Sequence, residues 1–440
     1  MKHFNRAWYL LIPLVALVPV GLRVMTWRSA KGQEVDPRMA EAGKVLFKHE
    51  WTVNDPLCNG GDGLGPVFND VSCVACHNQG GTGGAGGLAH NVTTFTVRPL
   101  TSGGQAREGV VHKRSTDIPG QLPRFQESLQ LVSPSLPDTA QPPLSLLVAL
   151  PTNNPGNHCL QGRFPRGVHI SQRNTPALFG AKLIDDLPDR VLIAAERRQK
   201  LKHGMAPAES EQLPVGRALR LADGRIGKFG WKAQTASLSD FVRAACANEL
   251  GLGNPTQNQP RSMRNPSYRP TKLDLTDEQC NQLTAFVASL PRPEQRLPED
   301  TIHRQQANLG KKMFHTVGCA ECHVPDLGSV VGIYSDLLLH KMGEPLEGGG
   351  SYNEPPIPDP SKPDGDAASP GEWRTPPLWG VADSGPYLHD GRAATLEEAI
   401  RLHGGQAARS AQRFAGLSAH EKAALLGFLK TLRAPAAQAH

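Results

Sequence analysis

Two copies of one short motif constrain this chain more than any other feature. Cys73-Val-Ala-Cys76-His77 and Cys319-Ala-Glu-Cys322-His323 both follow the pattern C-x-x-C-H. This spacing lets two thiols bond the two vinyl groups of one porphyrin, while the adjacent histidine becomes an axial ligand of its iron. The motifs lie far apart in the chain and each has its own histidine, which argues against one shared zinc site. We therefore predict two covalently bound c-type haems, with His77 and His323 as iron ligands.

Composition agrees with a loop-rich fold whose core contains something other than protein. Among 440 residues there are 45 glycines and 38 prolines, and aromatic residues make up only 5%. The formal charge of +6 is not concentrated in any run, which argues against a nucleic-acid partner. The length is sufficient for two or three domains.

The amino terminus has the layout of an export signal. Lys2 and Arg6 precede an uncharged stretch from Tyr9 to Leu22, which is shorter than the roughly 20 residues that a membrane helix needs. We predict that residues 1–30 are a signal peptide or an amino-terminal membrane anchor. The protein is then expected to be periplasmic or otherwise exported, and c-type haems are attached to exported proteins. Any membrane association is expected to be through residues 1–30.

Internal repeats predict that the two halves share a fold. Residues 68–73 match 314–319, residues 174–180 match 374–380, and residues 275–293 match 417–435 without a gap. The last pair begins with capping boxes, and apolar residues then follow at helical spacing. Each half therefore reads as one small helical haem domain.

The halves differ in length. The distance from the first repeat to the closing helix is about 104 residues longer in the first half, so that half contains an insert. An amphipathic helix is expected within it, around residues 192–201. We predict a first domain at 38–290 with the insert, a proline-rich linker at 291–300, and a second domain at 301–435.

Four stretches resemble the di-haem oxidoreductase family, which is itself similar to bacterial di-haem cytochrome c peroxidases and to the di-haem enzymes that mature methylamine dehydrogenase. They are GLGPVFNDVSCVACHNQGG, GRIGKFGWKA, YSDLLLHKMG and EWRTPPLWGVADSGPYLHDGRAATLEEAIRLHGG. The resemblance covers roughly residues 38–434. It implies a mainly α chain with two tandem cytochrome c-like haem domains and long Gly/Pro-rich loops. It also implies an oxidoreductase of the cytochrome c peroxidase type.

The resemblance implies a second ligand for the second haem. In the peroxidases a methionine usually follows the Tyr-x-His-x-Gly segment at a fixed distance, and here His403 follows Tyr387–Gly391 at that distance. Two imidazoles favour ferric iron, whereas methionine raises the reduction potential. A haem held by His323 and His403 would depart from the standard peroxidase pattern. The alternative is a solvated histidine at a helix end.

The first haem has two weaker candidates for a second ligand, His90 and Met205. His90 is equally compatible with a loop residue, and Met205 with a packing side chain. An iron with an open position is what a peroxide-activating haem needs, so both alternatives stay open.

Two further residues are candidates for catalysis. The spacing from Trp231 to Ser237 equals that from His389 to Thr395, and the peroxidases have a tryptophan between their haems at this place. The resemblance therefore implies that Trp231 conducts electrons, the alternative being a core tryptophan on a haem face. Glu249 is a candidate acid for cleavage of a peroxide bond, or else a surface residue.

Four cysteines remain outside the motifs, and an even number in an exported protein suggests two disulfides. Three pairings are possible. Cys246–Cys280 is favoured, because both lie on helical segments joined by a turn-rich stretch, and Cys58–Cys159 is the remaining pair.

Together these features favour an exported di-haem oxidoreductase that passes electrons from the second haem to a reactive first haem. Its expected partners are a small redox protein, as electron donor or acceptor, and hydrogen peroxide as substrate. The insert around the first haem favours an enzyme. The alternatives are a non-enzymatic electron-transfer cytochrome and a di-haem enzyme that oxidises a partner protein.

Overall fold

The protein is described by a computed structural model, which covers residues 35–97, 107–116, 168–204, 212–261, 267–270, 272–349 and 367–436. The predicted signal or anchor at 1–30, Met205 and Cys159 lie outside the described residues. In the part that is described, no helix is both long enough and apolar enough to cross a membrane. The described residues from Val35 onward belong to one compact unit. The domain boundaries at 290 and 301 stay a prediction.

Helices make up most of the regular structure, as predicted, and the sheets are small. The α-helices of the described residues are α1 (Pro37–Lys48), α2 (Cys73–Cys76), α3 (Ala181–Asp185), α4 (Asp189–His203), α5 (Leu238–Leu250), α6 (Asp277–Ser289), α7 (Thr301–Val317), α8 (Leu396–Arg401), α9 (Ala408–Ala415) and α10 (Ala419–Leu429). The helix α4 is the amphipathic helix predicted around residues 192–201.

The strands of the described residues form one three-stranded sheet and three two-stranded sheets. They are β1 (Val67–Phe68), β2 (Val92–Val97), β3 (Arg107–Val111), β4 (Arg114–Ser115), β5 (Val168–Arg173), β6 (Asp326–Leu327), β7 (Val330–Val331), β8 (Leu339–Lys341) and β9 (Glu372–Arg374). The sheet β3-β2-β5 is antiparallel and belongs to the first half, whereas β8 pairs with β9 in the second.

Each half contains one closely packed pair of helices, α1 with α6 and α7 with α10. A glycine sits at the contact in both pairs. A Cβ atom added at Gly43 would lie 1.9 Å from the carbonyl oxygen of Gln282, and one added at Gly310 would lie 1.9 Å from that of Ala424. Only glycine lets two backbones approach so closely. The two halves therefore use the same helix–helix contact.

The predicted capping boxes are present at the start of α6 and α10. The side chain of Thr276 accepts a hydrogen bond from the backbone of Gln279, and that of Ser418 accepts one from the backbone of Glu421. In both cases the side chain of the third helical residue bonds back to the backbone of the capping residue. The closing helices of the two halves thus begin in the same way.

The register of the first predicted repeat is wrong. Phe314 lies in α7 and packs on Phe428 with ring centroids 5.4 Å apart, whereas Phe68 lies in the short strand β1. The counterpart of Phe314 is Phe47 in α1, whose ring is 4.9 Å from that of Phe286. A match of two apolar residues before a cysteine did not distinguish a helix from a strand.

The halves differ in the connection between the first helix of the pair and the C-x-x-C-H motif. In the second half α7 ends at Val317, two residues before Cys319, so the helix leads directly into the motif. In the first half α1 ends at Lys48, and a long irregular segment separates it from Cys73. The same pair of helices therefore reaches its motif by a short connection in one half and a long one in the other.

Candidate functional site

The two C-x-x-C-H motifs form similar short helical turns. Cys73–Cys76 makes the turn α2, which Ser72 caps, and Cys319–Glu321 makes a 3-10 turn after Gly318. In both motifs the backbone N–H of the histidine donates to the carbonyl of the first cysteine over 3.0 Å, from His77 to Cys73 and from His323 to Cys319. The turns place the two sulfur atoms and the imidazole of each motif on one short piece of chain.

The motif histidines are held in the state that binds a metal. The Nδ1 atom of His77 lies 3.1 Å from the carbonyl oxygen of Gly84, and that of His323 lies 3.0 Å from that of Tyr334. Burial lowers the pKa of each imidazole to about 4, so both rings are neutral near pH 7. A carbonyl at Nδ1 fixes the ring and leaves Nε2 as the ligand atom.

His403 has the same arrangement. It follows α8, and its Nδ1 atom lies 2.6 Å from the carbonyl oxygen of Ala399. Burial lowers its pKa as well. The ring lines the same cavity as His323, and its charge contributes to the lowered pKa of His323, so the two imidazoles lie near each other. His403 is therefore a residue of the cavity wall, and its role as an iron ligand stays a prediction.

The cavity extends between the two halves and takes its walls from both. Residues of both halves line it, among them Phe229, Trp231, His323, Arg374, His389 and His403. Two residues predicted for different roles, Trp231 and His403, are thus brought to one space.

The repeat that relates Trp231 to His389 is visible in the backbone. Phe229 pairs with Thr235 in an isolated antiparallel bridge, and Tyr387 pairs with Ala393 in the same way. The next helices, α5 and α8, begin two residues later at equivalent capping residues, Ser237 and Thr395. Trp231 and His389 occupy equivalent places within these two turns, as the spacing predicted.

The halves are joined by two reciprocal hydrogen bonds at this point. The backbone N–H of Asn174 donates to the carbonyl of His389 over 2.6 Å, and that of Arg374 donates to the carbonyl of Trp231 over 2.9 Å. Asn174 and Arg374 are equivalent in the second repeat, as Trp231 and His389 are in the turns. Each half therefore binds the other through the same pair of positions. The indole Nε1 of Trp231 also donates to the carbonyl of Asn174 over 2.8 Å.

Arg374 provides a buried donor without a partner. Its Nε donates to the carbonyl of Gly230 over 2.7 Å, but its Nη1 is fully buried and makes no hydrogen bond. Burial lowers the pKa of the guanidinium to about 10, so it remains a cation near pH 7. The negative charge of Asp336 acts on this guanidinium, but among the described residues no acceptor meets its Nη1 atom. The carboxylate of a haem propionate would meet this need, while the equivalent residue of the first half, Asn174, is neutral.

These residues fit a pair of haems. Each motif offers two sulfur atoms for a porphyrin edge and one imidazole for its iron, and His403 offers a second imidazole in the second half. The cavity between the halves is largely apolar, as a porphyrin face requires, and Arg374 offers a donor to an acidic edge.

Sequence reasoning missed Trp373 of the cavity wall and the contacts that it makes with His389 and Lys232. His389 stacks on Trp373 with ring centroids 3.6 Å apart and an angle of 12° between the rings. The ammonium of Lys232 lies 3.6 Å from the centre of the same indole and is held by three backbone carbonyls. Trp373 and Lys232 lie within the stretches that carried the family resemblance, but nothing in the sequence showed that they touch.

The second cysteine of each motif lies beside an imidazole and a carboxylate. Cys76 is 3.5 Å from Nδ1 of His90, which is 3.1 Å from Asp70. Cys322 is 3.6 Å from Nδ1 of His340, whose Nε2 is 2.9 Å from Asp336. Both groups have the ligand types of a metal site. Their sulfur atoms belong to the two C-x-x-C-H motifs, so both groups would lie at the edge of a porphyrin that is bound there.

This arrangement bears on His90 and Glu249. His90 is held at the Cys76 sulfur, at the edge expected for a porphyrin, which does not favour it as an iron ligand. The carboxylate of Glu249 accepts a hydrogen bond from Nδ2 of Asn69 over 2.6 Å, and after burial it is the largest cause of the raised pKa of Cys76. Glu249 thus lies near the first motif, and its role as an acid stays a prediction.

The predicted disulfide Cys246–Cys280 is wrong, because the structure has both residues as free thiols. They lie on α5 and α6, which pack together, and both side chains belong to the hydrophobic core of the first half. Burial raises the pKa of Cys280 to about 11 and holds that of Cys246 well above its usual value. They behave as small apolar residues. Cys58 is also a free thiol, and its predicted partner Cys159 lies outside the described residues.

Comparison with known proteins gives the chain a family. No curated protein matches it. Among solved structures, it is similar to hydrazine synthase of Kuenenia stuttgartiensis, with 19% identity over 60% of this chain and 73% of the other and a TM-score of 0.33. It is also similar to a MauG-like protein associated with microbial copper homeostasis, with 20% identity over 56% of this chain and 90% of the other and a TM-score of 0.29.

The family match covers more than half of the chain. Residues 159–432 match the family described as "Di-haem oxidoreductase, putative peroxidase". The matched region contains the second motif, His403, Trp231 and Arg374, while the first motif precedes it. The chain belongs to the di-haem oxidoreductase family.

Proposed function

We propose that this protein is an exported di-haem oxidoreductase of the peroxidase type, in which electrons pass from the second haem to a reactive first haem. Each half acts as a cytochrome c-like domain, and the cysteines of its motif bond the haem covalently. The donor is a small redox protein and the substrate is hydrogen peroxide. In the overall reaction, hydrogen peroxide takes up two electrons and two protons and gives two molecules of water.

The observation that carries the proposal is that the second half has a second imidazole in the cavity, at a position where the first half has an alanine. The second half brings His323 and His403 to one cavity, both with Nδ1 engaged by a backbone carbonyl. His403 is eight residues after the capping residue Thr395. The residue eight positions after the equivalent Ser237 is Ala245, which has no ligand atom.

The position of Ala245 on α5 supports this comparison. Leu238 and Phe241 line the cavity, and Ala245 follows them at intervals of seven and four residues. Residues at these intervals share one face of a helix. Ala245 is therefore on the cavity side of α5, where a small apolar side chain leaves space for a substrate such as peroxide.

The haems, when bound, supply one-electron transfer and an iron centre at which peroxide can be reduced. The protein residues divide the two tasks. His323 and His403 would hold the second iron with two neutral imidazoles, which would suit electron transfer because no ligand would have to bind or leave. His77 would hold the first iron through its Nε2 atom, and Phe241 belongs to the largely apolar lining of the cavity, which would limit access of bulk water.

We infer that Trp231 carries electrons between the halves, and three contacts support this. Its indole lines the shared cavity, its backbone carbonyl accepts from Arg374 of the second half, and its Nε1 is bonded to Asn174. The bond to a carbonyl holds the indole N–H proton when the ring gives up an electron. One long transfer is then divided into two shorter ones.

Reaction with peroxide tests the proposal. The purified protein is reduced by one electron under anaerobic conditions, mixed with hydrogen peroxide in a stopped-flow instrument, and followed in the haem absorption bands. We expect peroxide to change the absorption of the first haem and to reoxidise the second. A protein whose bands do not respond to peroxide in any redox state is an electron carrier, and the proposal is then wrong.

A further inference from the structure

The helix α4 of the first-half insert covers the haem-attachment motif of the second half. The carboxylate of Glu321, which lies between Cys319 and Cys322, is bonded by Lys202 over 2.6 Å and contacted by Nε2 of His203 at 3.2 Å. Gln199 also donates to the backbone carbonyl of Glu321 over 2.9 Å. The insert, which the sequence associated with the first haem, is therefore attached to the second.

A short chain of hydrogen bonds leads from α4 to the second motif. The Nε2 of buried Gln199 donates to Asp336 over 2.7 Å, Asp336 lies 2.9 Å from Nε2 of His340, and Nδ1 of His340 lies 3.6 Å from the sulfur of Cys322. This sulfur is at the edge of the second haem when the haem is attached. Two side chains thus separate Gln199 from the porphyrin edge.

The outward side of α4 is a continuous basic and apolar surface. Five exposed residues follow at helical spacing and form what we call the α4 outer stripe: Arg190, Ala194, Arg197, Arg198 and Leu201. Leu201 is 86% exposed, and the stripe contains no acidic residue. Among the residues that the structure describes, the three arginines form no ion pair. A basic surface with an exposed leucine is suited to a transient partner with an acidic face.

A second basic surface, on α7, also lies near the second motif. Lys311 and Lys312 are exposed on α7, which leads directly to Cys319. The exposed apolar residue of α7 is Ile302, at the start of the helix and roughly 20 Å from its end at a rise of 1.5 Å per residue. On α4, by contrast, Leu201 is adjacent to Lys202, which binds the motif residue Glu321.

We propose that the α4 outer stripe is the docking surface for the electron donor, a small redox protein with an acidic face. The inference rests on the proposed function, in which the second haem receives the electrons. The arginines attract the acidic partner over a distance, and Leu201 gives it an apolar contact. The hydrogen bonds that begin at Gln199 lead from α4 to the haem edge. One electron leaves the donor and one reaches the second haem, so the step is balanced without another reactant.

The experiment measures electron uptake and uses no peroxide. The full-length di-haem protein is mixed anaerobically with a ferrous mono-haem cytochrome c that has an acidic face and a reduction potential below that of the second haem, because two imidazole ligands keep that potential low. Reduction of the second haem is followed by stopped flow. The test variant is Arg197→Glu/Arg198→Glu. The matched control is Lys311→Glu/Lys312→Glu, which makes the same change of charge near the same haem. Reduction by dithionite checks that both haems are present in each protein.

At low ionic strength we expect the α4 variant to accept electrons about 30-fold more slowly than the wild-type protein, and the control variant to stay within about threefold. The difference should shrink at 0.5 M salt, where charges are screened over about 4 Å. A ferrous cytochrome c with a basic face should show the opposite change. Leu201→Ser should slow uptake by roughly threefold at every salt concentration.

Unchanged uptake in the α4 variant, or an equal loss in the α7 control, would overturn the proposal. If the charge reversal reduces haem loading, Arg197→Gln/Arg198→Gln replaces it, with an expected loss of about fivefold. The result is independent of peroxide chemistry: a protein inert to peroxide can still take electrons through α4. Reduction of the first haem before the second would instead contradict the proposed direction of transfer.

Discussion

The two halves of the molecule have the same framework and differ at a few positions of the cavity and of the helices beside it. Both have a glycine at the contact of a helix pair, a histidine whose backbone N–H bonds to the first cysteine, and a capped helix after an isolated bridge. The second half has His403, Arg374 and His389 where the first has Ala245, Asn174 and Trp231. On the proposed function, the framework would position a porphyrin in each half, and these three pairs of residues would give the two irons different tasks.

Removing one motif at a time gives the largest expected effect. Cys319→Ala/Cys322→Ala should leave a protein with one covalent haem, because the thioether bonds of the second half cannot form. Cys73→Ala/Cys76→Ala should do the same for the first half. Mass spectrometry of the intact protein counts the haems. Two covalent haems in either variant would show that the motif is not the attachment site.

Exchanging the residues at the distal position should exchange the properties of the halves. Ala245→His gives the first half a second imidazole, and we expect its reaction with peroxide to slow by about 100-fold, a barrier increase of about 2.7 kcal/mol. His403→Ala should open the second iron and convert it to a high-spin or water-ligated form. Ala245→Leu is the control, because it adds bulk without a ligand atom. If Ala245→Leu slows the reaction with peroxide as much as Ala245→His does, the effect is steric exclusion and not ligation of the iron.

Trp231→Phe separates conduction from packing. Phenylalanine fills much of the same volume but is far harder to oxidise, so transfer between the haems should slow by about tenfold, a barrier increase of about 1.4 kcal/mol. The control is Trp379→Phe, which lies in the same cavity wall but belongs to the hydrophobic core. If Trp231 only packs, its loss should cost about 1–3 kcal/mol of stability and leave the rate unchanged.

The smallest effects concern the shared helix contact. Gly43→Ala and Gly310→Ala should each lower the free energy of unfolding by about 2 kcal/mol, because the new Cβ must displace a neighbouring backbone. Gly427→Ala on α10 meets no atom within 4 Å and should raise it by about 0.5–1 kcal/mol. Thermal or urea unfolding of the loaded protein measures all three. A loss at only one of the two contact glycines would mean that the halves are not equivalent there.

Local features of the site could be predicted from the sequence, and features that depend on tertiary contacts could not. A few neighbouring residues are enough to define each local feature: the two motifs, the capping boxes at Thr276 and Ser418, and the equivalence of Trp231 and His389. The reciprocal bonds between the halves and the unpaired donor of Arg374 exist only after the halves meet. The same reason explains why the stack of His389 on Trp373 was missed.

The wrong repeat register and the wrong disulfide have a common cause, because both were inferred from residue types whose structural environment the sequence does not show. The repeat that paired Phe68 with Phe314 rested on residue identity, which does not tell a helix residue from a strand residue. The disulfide Cys246–Cys280 rested on an even number of cysteines and on two adjacent helices. The structure uses both thiols as apolar core residues, a role that cysteine fills as readily as pairing.

Low-temperature electron paramagnetic resonance of the fully oxidised protein tests the central claim most directly, because it reports the ligands of each iron separately. We predict one high-spin ferric signal from the first haem, held by His77 alone, and one low-spin signal from the second, held by His323 and His403. Two low-spin signals of equal intensity would show that the first iron has a second strong ligand, and the division of roles between the halves would be contradicted.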